Sequence, residues 1–127
     1  MATSRHSVPM SRETVDMICA ALPGAHWASH HEGGLDAWKV GDKMFACIGI
    51  ANDGVSVKCA DVDSAQFLIE IGAATKAKYF HRSWVRIPFD GKDASEMQDR
   101  ILTSYKIIRA SLPKKLQATL APTPSAD

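Results

Sequence analysis

Apolar positions recur along this chain at two spacings, and each spacing marks a different kind of element. In TVDMICAAL, Val15, Ile18, Cys19 and Leu22 fall three or four residues apart, the spacing of one face of an α-helix. Ser11 stands just ahead of it, where a hydroxyl can accept from the orphan amides of a first turn, and Pro23-Gly24 stops the helix. The period then drops to two. Ala25 to His31, Leu35 to Val40, Lys43 to Ile50 and Val55 to Cys59 read as four strands, separated by Glu32-Gly33-Gly34, Gly41-Asp42 and Asn52-Asp53-Gly54. Helical spacing returns in VDSAQFLIEI, capped by Asp61 and stopped at Gly72, with Val62, Ala65, Leu68 and Ile71 toward the core. AATKAKYFHR has neither period. Ser83 to Phe89 returns to strand character, and Pro88, which has no amide to donate, puts that strand at an edge or at its own end. Asp93 and Glu96 have capping-box spacing and open a long helix to about Leu112, striped by Met97, Ile101, Leu102, Tyr105, Ile108 and Leu112. Pro113 ends it or starts a short helix over PKKLQATL.

These elements predict an α+β fold, an antiparallel β-sheet meander with helices packed on one face. The hairpin AWKVGDKMFA sets the register, because glycine at the first position of a two-residue turn suits the positive φ of a primed turn. Val40 then faces Lys43, Lys39 faces Met44 and Trp38 faces Phe45. Trp38, Val40 and Phe45 become the core side, shared with Lys43, while Lys39 falls with Ala37, Met44, Ala46 and Ile48 on the other.

A length of 127 residues with 46% hydrophobic composition suits one core. The expected division is a flexible N-terminus over 1–10, a single domain over 11–120 and a disordered tail over 121–127, where large apolar groups are scarce. The longest apolar run, FACIGIA, is about a third of the 20 or so residues a membrane helix needs. With no apolar stretch in MATSRHSVP, the expected location is cytoplasmic. Cys19, Cys47 and Cys59 lack metal-site spacing and read as buried free thiols. His26 and His30 share a strand face, yet no third ligand is evident beside them, so no metal or other cofactor is expected. No phosphate-binding glycine loop, Walker lysine or GxSxG elbow occurs, so no enzymatic activity is expected.

Charge changes the picture through its distribution. Residues 1–74 carry 5 Lys/Arg against 9 Asp/Glu, whereas residues 75–127 carry 10 against 5, although the net charge is only +1. In VSVKC and SWVRIPF the positions opposite the apolar set are Ser56 and Lys58, and Trp84, Arg86 and Pro88. Together with Lys39, these predict a basic, tryptophan-bearing sheet face of Lys39, Lys58, Trp84 and Arg86, with Lys43 and the Lys114-Lys115 pair at its margins. Phosphates favour such charge, and an indole can stack or wedge. The plainer alternative is a solvated face of snorkelling lysines around a half-buried ring.

The ordered markers LPGA, AWKVGDKMFA, VSVKC, HRSWVRI and SYKIIRASLPKK resemble the bacterial MmcQ/YjbR family, from about residue 11 to 118. The resemblance implies a CyaY-like fold, often described as DNA-binding because it is similar to a double-wing module of a phage transcription factor. It carries over the positions Trp38-Lys39, Lys43, Phe45, Lys58, Trp84, Ser104-Tyr105 and Lys114-Lys115, and no catalytic residue. Frataxin-like relatives use an acidic ridge for iron, whereas the first helix here offers only Glu13 and Asp16. Three expectations follow: DNA binding through the basic face; alternatively a protein-interaction module, self-associating as a homodimer, on that face and its edge; and, ranked last, a small-ligand pocket between the sheet and the loop from Ala73 to Arg82.

Overall fold

The computed structural model describes residues 10–28, 36–49 and 51–123. Its elements are α1 (Arg12–Ala20), β1 (Ala25–Ala28), β2 (Asp36–Val40), β3 (Lys43–Ile48), β4 (Gly54–Lys58), α2 (Val62–Glu70), β5 (Thr75–Lys76), β6 (Trp84–Pro88), α3 (Ala94–Ala110) and α4 (Lys114–Gln117). The sheet is antiparallel throughout, in the order β1-β2-β3-β4-β6-β5. The first four strands are the predicted meander. The chain then crosses through α2, and β6 joins β4 while β5 takes the outer edge.

Helices begin where short polar side chains replace missing amide partners. Ser11 accepts from the Thr14 amide, Asp61 from that of Ser64 and Asp93 from that of Glu96, as the sequence predicts. Gly41 has φ +63°, and its open side receives Leu112 and Leu116, so the hairpin turn also seats the end of the helical layer. The helices cover one face of the sheet. Ala46, Ile48, Val55, Val57, Val85 and Ile87 from the strands meet Val15 and Cys19 of α1, Ala65 and Leu68 of α2, and Met97, Ile101 and Tyr105 of α3. Met10, ahead of the first helix, belongs to the same cluster. Arg12 ties α1 to the sheet, reaching Asp16, Asp36 and Asn52, while Asp16 also accepts from the Trp38 indole at 2.9 Å.

A β-bulge corrects the predicted register. Trp38 pairs with Ala46 rather than Phe45, and the alignment shifts before Lys39 pairs with Met44. Phe45 is therefore the extra residue of β3. Its ring still enters the core, edge-on to Tyr105 at 5.3 Å, but Ala46 and Ile48 also turn to the covered face and Cys47 to the other. A slip of one residue exchanges the faces of everything beyond it. The bulge is held by Ser104, which donates to the Phe45 carbonyl at 2.7 Å and accepts from the Lys58 amide at 2.9 Å. That buried hydroxyl bonds outside its own helix turn and joins two strands to α3.

Other boundaries shift as well. The first described strand ends at Ala28, and His30 and His31 lie outside the described residues. β6 is interior, with Pro88 its last residue, so the proline ends the strand rather than marking an edge. β5 arises within the stretch that had neither period. Ile71 is 58% exposed instead of facing the core, because α2 stops at Glu70 and Ile71 serves as its C-cap.

Candidate nucleic-acid interface

The face not covered by helices is built from two cross-strand rows. One runs Ala28, Ala37, Cys47, Ser56, Arg86 and Thr75, each the register partner of the next. The other carries His26, Lys39 and Met44 on one side and the pair Lys58 and Trp84 on the other. Lys39 and Lys58 stand on β2 and β4 with β3 between them, so their backbones are two strand spacings, about 10 Å, apart. No described strand position on this face holds an aspartate or glutamate.

The cations differ in how they are held. Lys39 is half-buried and makes no side-chain hydrogen bond or ion pair among the described residues. The Lys58 ammonium donates to the Ser83 hydroxyl at 2.5 Å, and Nδ1 of His81 lies 2.9 Å from that hydroxyl and accepts from the Ser83 amide. Arg86 pairs with Asp53 at the β4 entry. Its guanidinium lies across Gly54, where a Cβ would come within 2.7 Å of it, so glycine at that position leaves the space Arg86 occupies. Trp84 is half-buried and tilted against Phe80, ring centroids 4.8 Å apart.

The structure separates the remaining predicted cations from this group. Lys43 sits at a covered-face register position, opposite Val40, and its ammonium reaches the Ser111 carbonyl and hydroxyl at 3.3 and 3.1 Å. It thus caps the negative end of α3. Lys114 and Lys115 are exposed on α4, in the helical layer beyond that same end. Lys39, Lys58, Trp84 and Arg86 share one face; Lys43, Lys114 and Lys115 do not join them.

The place ranked last in the sequence reading, between the sheet and the loop from Ala73 to Arg82, does hold a concavity, beside Arg86. A hollow of about 550 Å³ opens between the sheet and the segment after β5, lined by Ser56, Thr75, Lys76, Lys78, Phe80 and Arg86 among others. The only sequence signal was the interleaving of cations and rings in TKAKYFHR. All three cysteines are free and buried. Burial, then the charge of Asp36, pushes the Cys47 thiol up to about 11, and burial raises those of Cys19 and Cys59 too. Among the described residues no three His, Cys, Asp or Glu side chains gather as a metal would require. The first-helix carboxylate Asp16 is engaged by Arg12 and Trp38. No helix among the described residues is long and apolar enough to cross a membrane.

The hairpin, the bulge and Ser104, which holds it, all fall within residues 20–107, which match the YjbR family model. The chain belongs to the YjbR family. The matched span includes Lys39, Lys58, Trp84, Arg86 and the hollow, and leaves Lys114 and Lys115 outside. The fold is similar to that in a crystal structure of the Deinococcus radiodurans protein DR2400, a DUF419-domain protein. The TM-score is 0.77 and the identity 18%, over 90% of this chain and 91% of that one. At that identity the likeness concerns the fold. No curated protein matches the chain.

Proposed function

We propose that this YjbR-family chain is a non-catalytic nucleic-acid-binding domain that grips DNA phosphates with its uncovered sheet face. The observation that carries the reading is the gathering of Lys39, Lys58 and Arg86 on a face whose described strand positions hold no acidic side chain. Lys39 supplies a cation without a protein partner among the described residues. Lys58 is oriented by Ser83, and Arg86 can exchange exposed Asp53 for a phosphate at little cost, since solvent-exposed ion pairs are worth about 0–1 kcal/mol. Trp84 offers a ring edge beside them. A cytoplasmic setting belongs to the same proposal.

The test is fluorescence anisotropy with labelled DNA at low salt. Binding in the micromolar range is expected for the natural chain, and the double variant Lys39→Glu, Lys58→Glu should lose at least tenfold in affinity while its circular dichroism and melting temperature hold. Failure of the natural chain to bind duplex or single strands defeats the proposal.

The alternative, self-association through the same face, finds less support. Of the large exposed apolar side chains described, Met17, Phe67 and Ile71 belong to or end the helices over the other face and Trp27 shares the face of Trp38, which leaves Tyr79, between Lys78 and Phe80, as the one next to the uncovered face. A concentration-dependent mass by light scattering that disappears in the Lys39→Glu, Lys58→Glu variant would favour it instead.

A further inference from the structure

The segment between β5 and β6 is neither helix nor strand, yet it is firmly built. Ala77 is buried, the Phe80 amide returns to the Ala77 carbonyl, the Phe80 ring rests on Trp84, and the Trp84 amide bonds to the His81 carbonyl. Ser83, also buried, links the end of the segment to Lys58. Out of this fixed turn projects Tyr79, fully exposed, with φ +71°. Bulky L side chains rarely occupy that left-handed region, and the surrounding contacts must offset the strain. An exposed aromatic held in a strained backbone has no packing role that explains it.

Lys78 and Phe80, on either side of Tyr79, line the hollow on the uncovered face. Across it stands Arg86, and Ser56 and Thr75 complete the lining, the Thr75 hydroxyl donating to the Arg86 carbonyl; Lys76 borders the hollow but shares a register position with buried Val85, which turns its side chain toward the covered face. No aspartate or glutamate lines it; Asp53 reaches Arg86 from outside. The volume of about 550 Å³ falls within the roughly 300–1,000 Å³ typical of small-ligand sites. Two cations, two hydroxyl-bearing residues and adjoining rings in a space of that size match one phosphate joined to one flat heterocycle.

We propose that this hollow receives a single unpaired nucleotide of a DNA strand, with its phosphate on Lys78 and Arg86 and its base against Phe80 and Tyr79. The inference rests on the sheet face binding DNA and narrows that reading to unpaired strands. A base within a duplex is stacked and paired, and reaching the hollow requires its extrusion, so duplex should bind more weakly. Base stacking on an aromatic side chain is worth roughly 5- to 150-fold in affinity per base.

The test compares a labelled oligothymidylate with a duplex of equal length by anisotropy, using the full chain, Tyr79→Gly and Lys78→Glu. The single strand should bind at least tenfold more tightly than duplex. Tyr79→Gly should cost the single strand about tenfold and the duplex little, while melting temperature holds or rises because glycine relieves the positive φ. Lys78→Glu should likewise reduce the preference for the single strand. Equal affinity for the two DNAs, or undiminished single-strand binding by Tyr79→Gly, overturns the inference and leaves phosphate binding by the sheet face standing. Absence of binding to both DNAs overturns both.

Discussion

Ser104 shows how one small side chain can decide a local geometry. Its hydroxyl is fully buried, gives its proton to the carbonyl of the bulged Phe45 and accepts the amide of Lys58. Alanine at this position would leave a buried carbonyl and a buried amide without partners, each worth about 1–3 kcal/mol. Ser104→Ala should therefore lower the melting temperature by roughly 4 °C or more, at the few degrees per kcal/mol expected of a domain this size. Thermal unfolding followed by circular dichroism measures it. Because Lys58 lies at the far end of the same hydrogen bond, the variant should also weaken DNA binding. Tyr105, the next residue, donates to the Pro23 carbonyl at 2.6 Å and accepts from Arg109 at 2.9 Å, fastening the connection between α1 and β1 to α3. The motif SYKIIRASLPKK was legible as a helix with an apolar stripe. Its polar contacts were not, because each reaches a partner remote in sequence.

At the level of elements, the caps were written in the sequence and the strand register was only half written. A cap is a contact over three residues, so Asp61 can be matched to the Ser64 amide without knowing the fold. Those bonds hold the Asp61 carboxyl below the usual carboxylate value of 3.8. A folded pKa lowered in this way contributes stability above the unfolded value and loses it as pH falls through the folded one. The difference in melting temperature between the natural chain and Asp61→Ala should be full near pH 6 and shrink below about pH 4. A difference independent of pH would show that the charge of Asp61 plays no part in the cap. The register fared differently. Gly41-Asp42 fixed the pairs nearest the turn, Val40 with Lys43 and Lys39 with Met44, but no local signal announces the extra residue at Phe45. Two-residue β5 was missed for a similar reason. Its existence depends on β6 being available beside it, since so short a strand has no pattern of its own.

Over the whole molecule, the cations divide into two groups that the linear sequence does not distinguish. Lys39, Lys58 and Arg86 belong to the uncovered face; Lys43, Lys114 and Lys115 surround the end of α3. If DNA lies on the sheet, reversing Lys114 and Lys115 to glutamate should change affinity by less than about twofold, while reversing Lys39 and Lys58 should also flatten the dependence of log affinity on log salt by about 1.4–1.8, at 0.7–0.9 per phosphate contact. Salt titrations of both double variants check it, and equal losses would move the interface to the molecule's end. By itself, the sequence determined the α+β class, the helix starts, the hairpin turn and the set of polar residues opposite the core. These depend on periodicity and on contacts a few residues long. Only the tertiary structure decided the bulge that exchanges Ala46 and Ile48 with Cys47, the separation of the two groups of cations, and which residues line the hollow beside Arg86. Each of these requires strands and helices far apart in the chain to meet, and no window of neighbouring residues contains that distance.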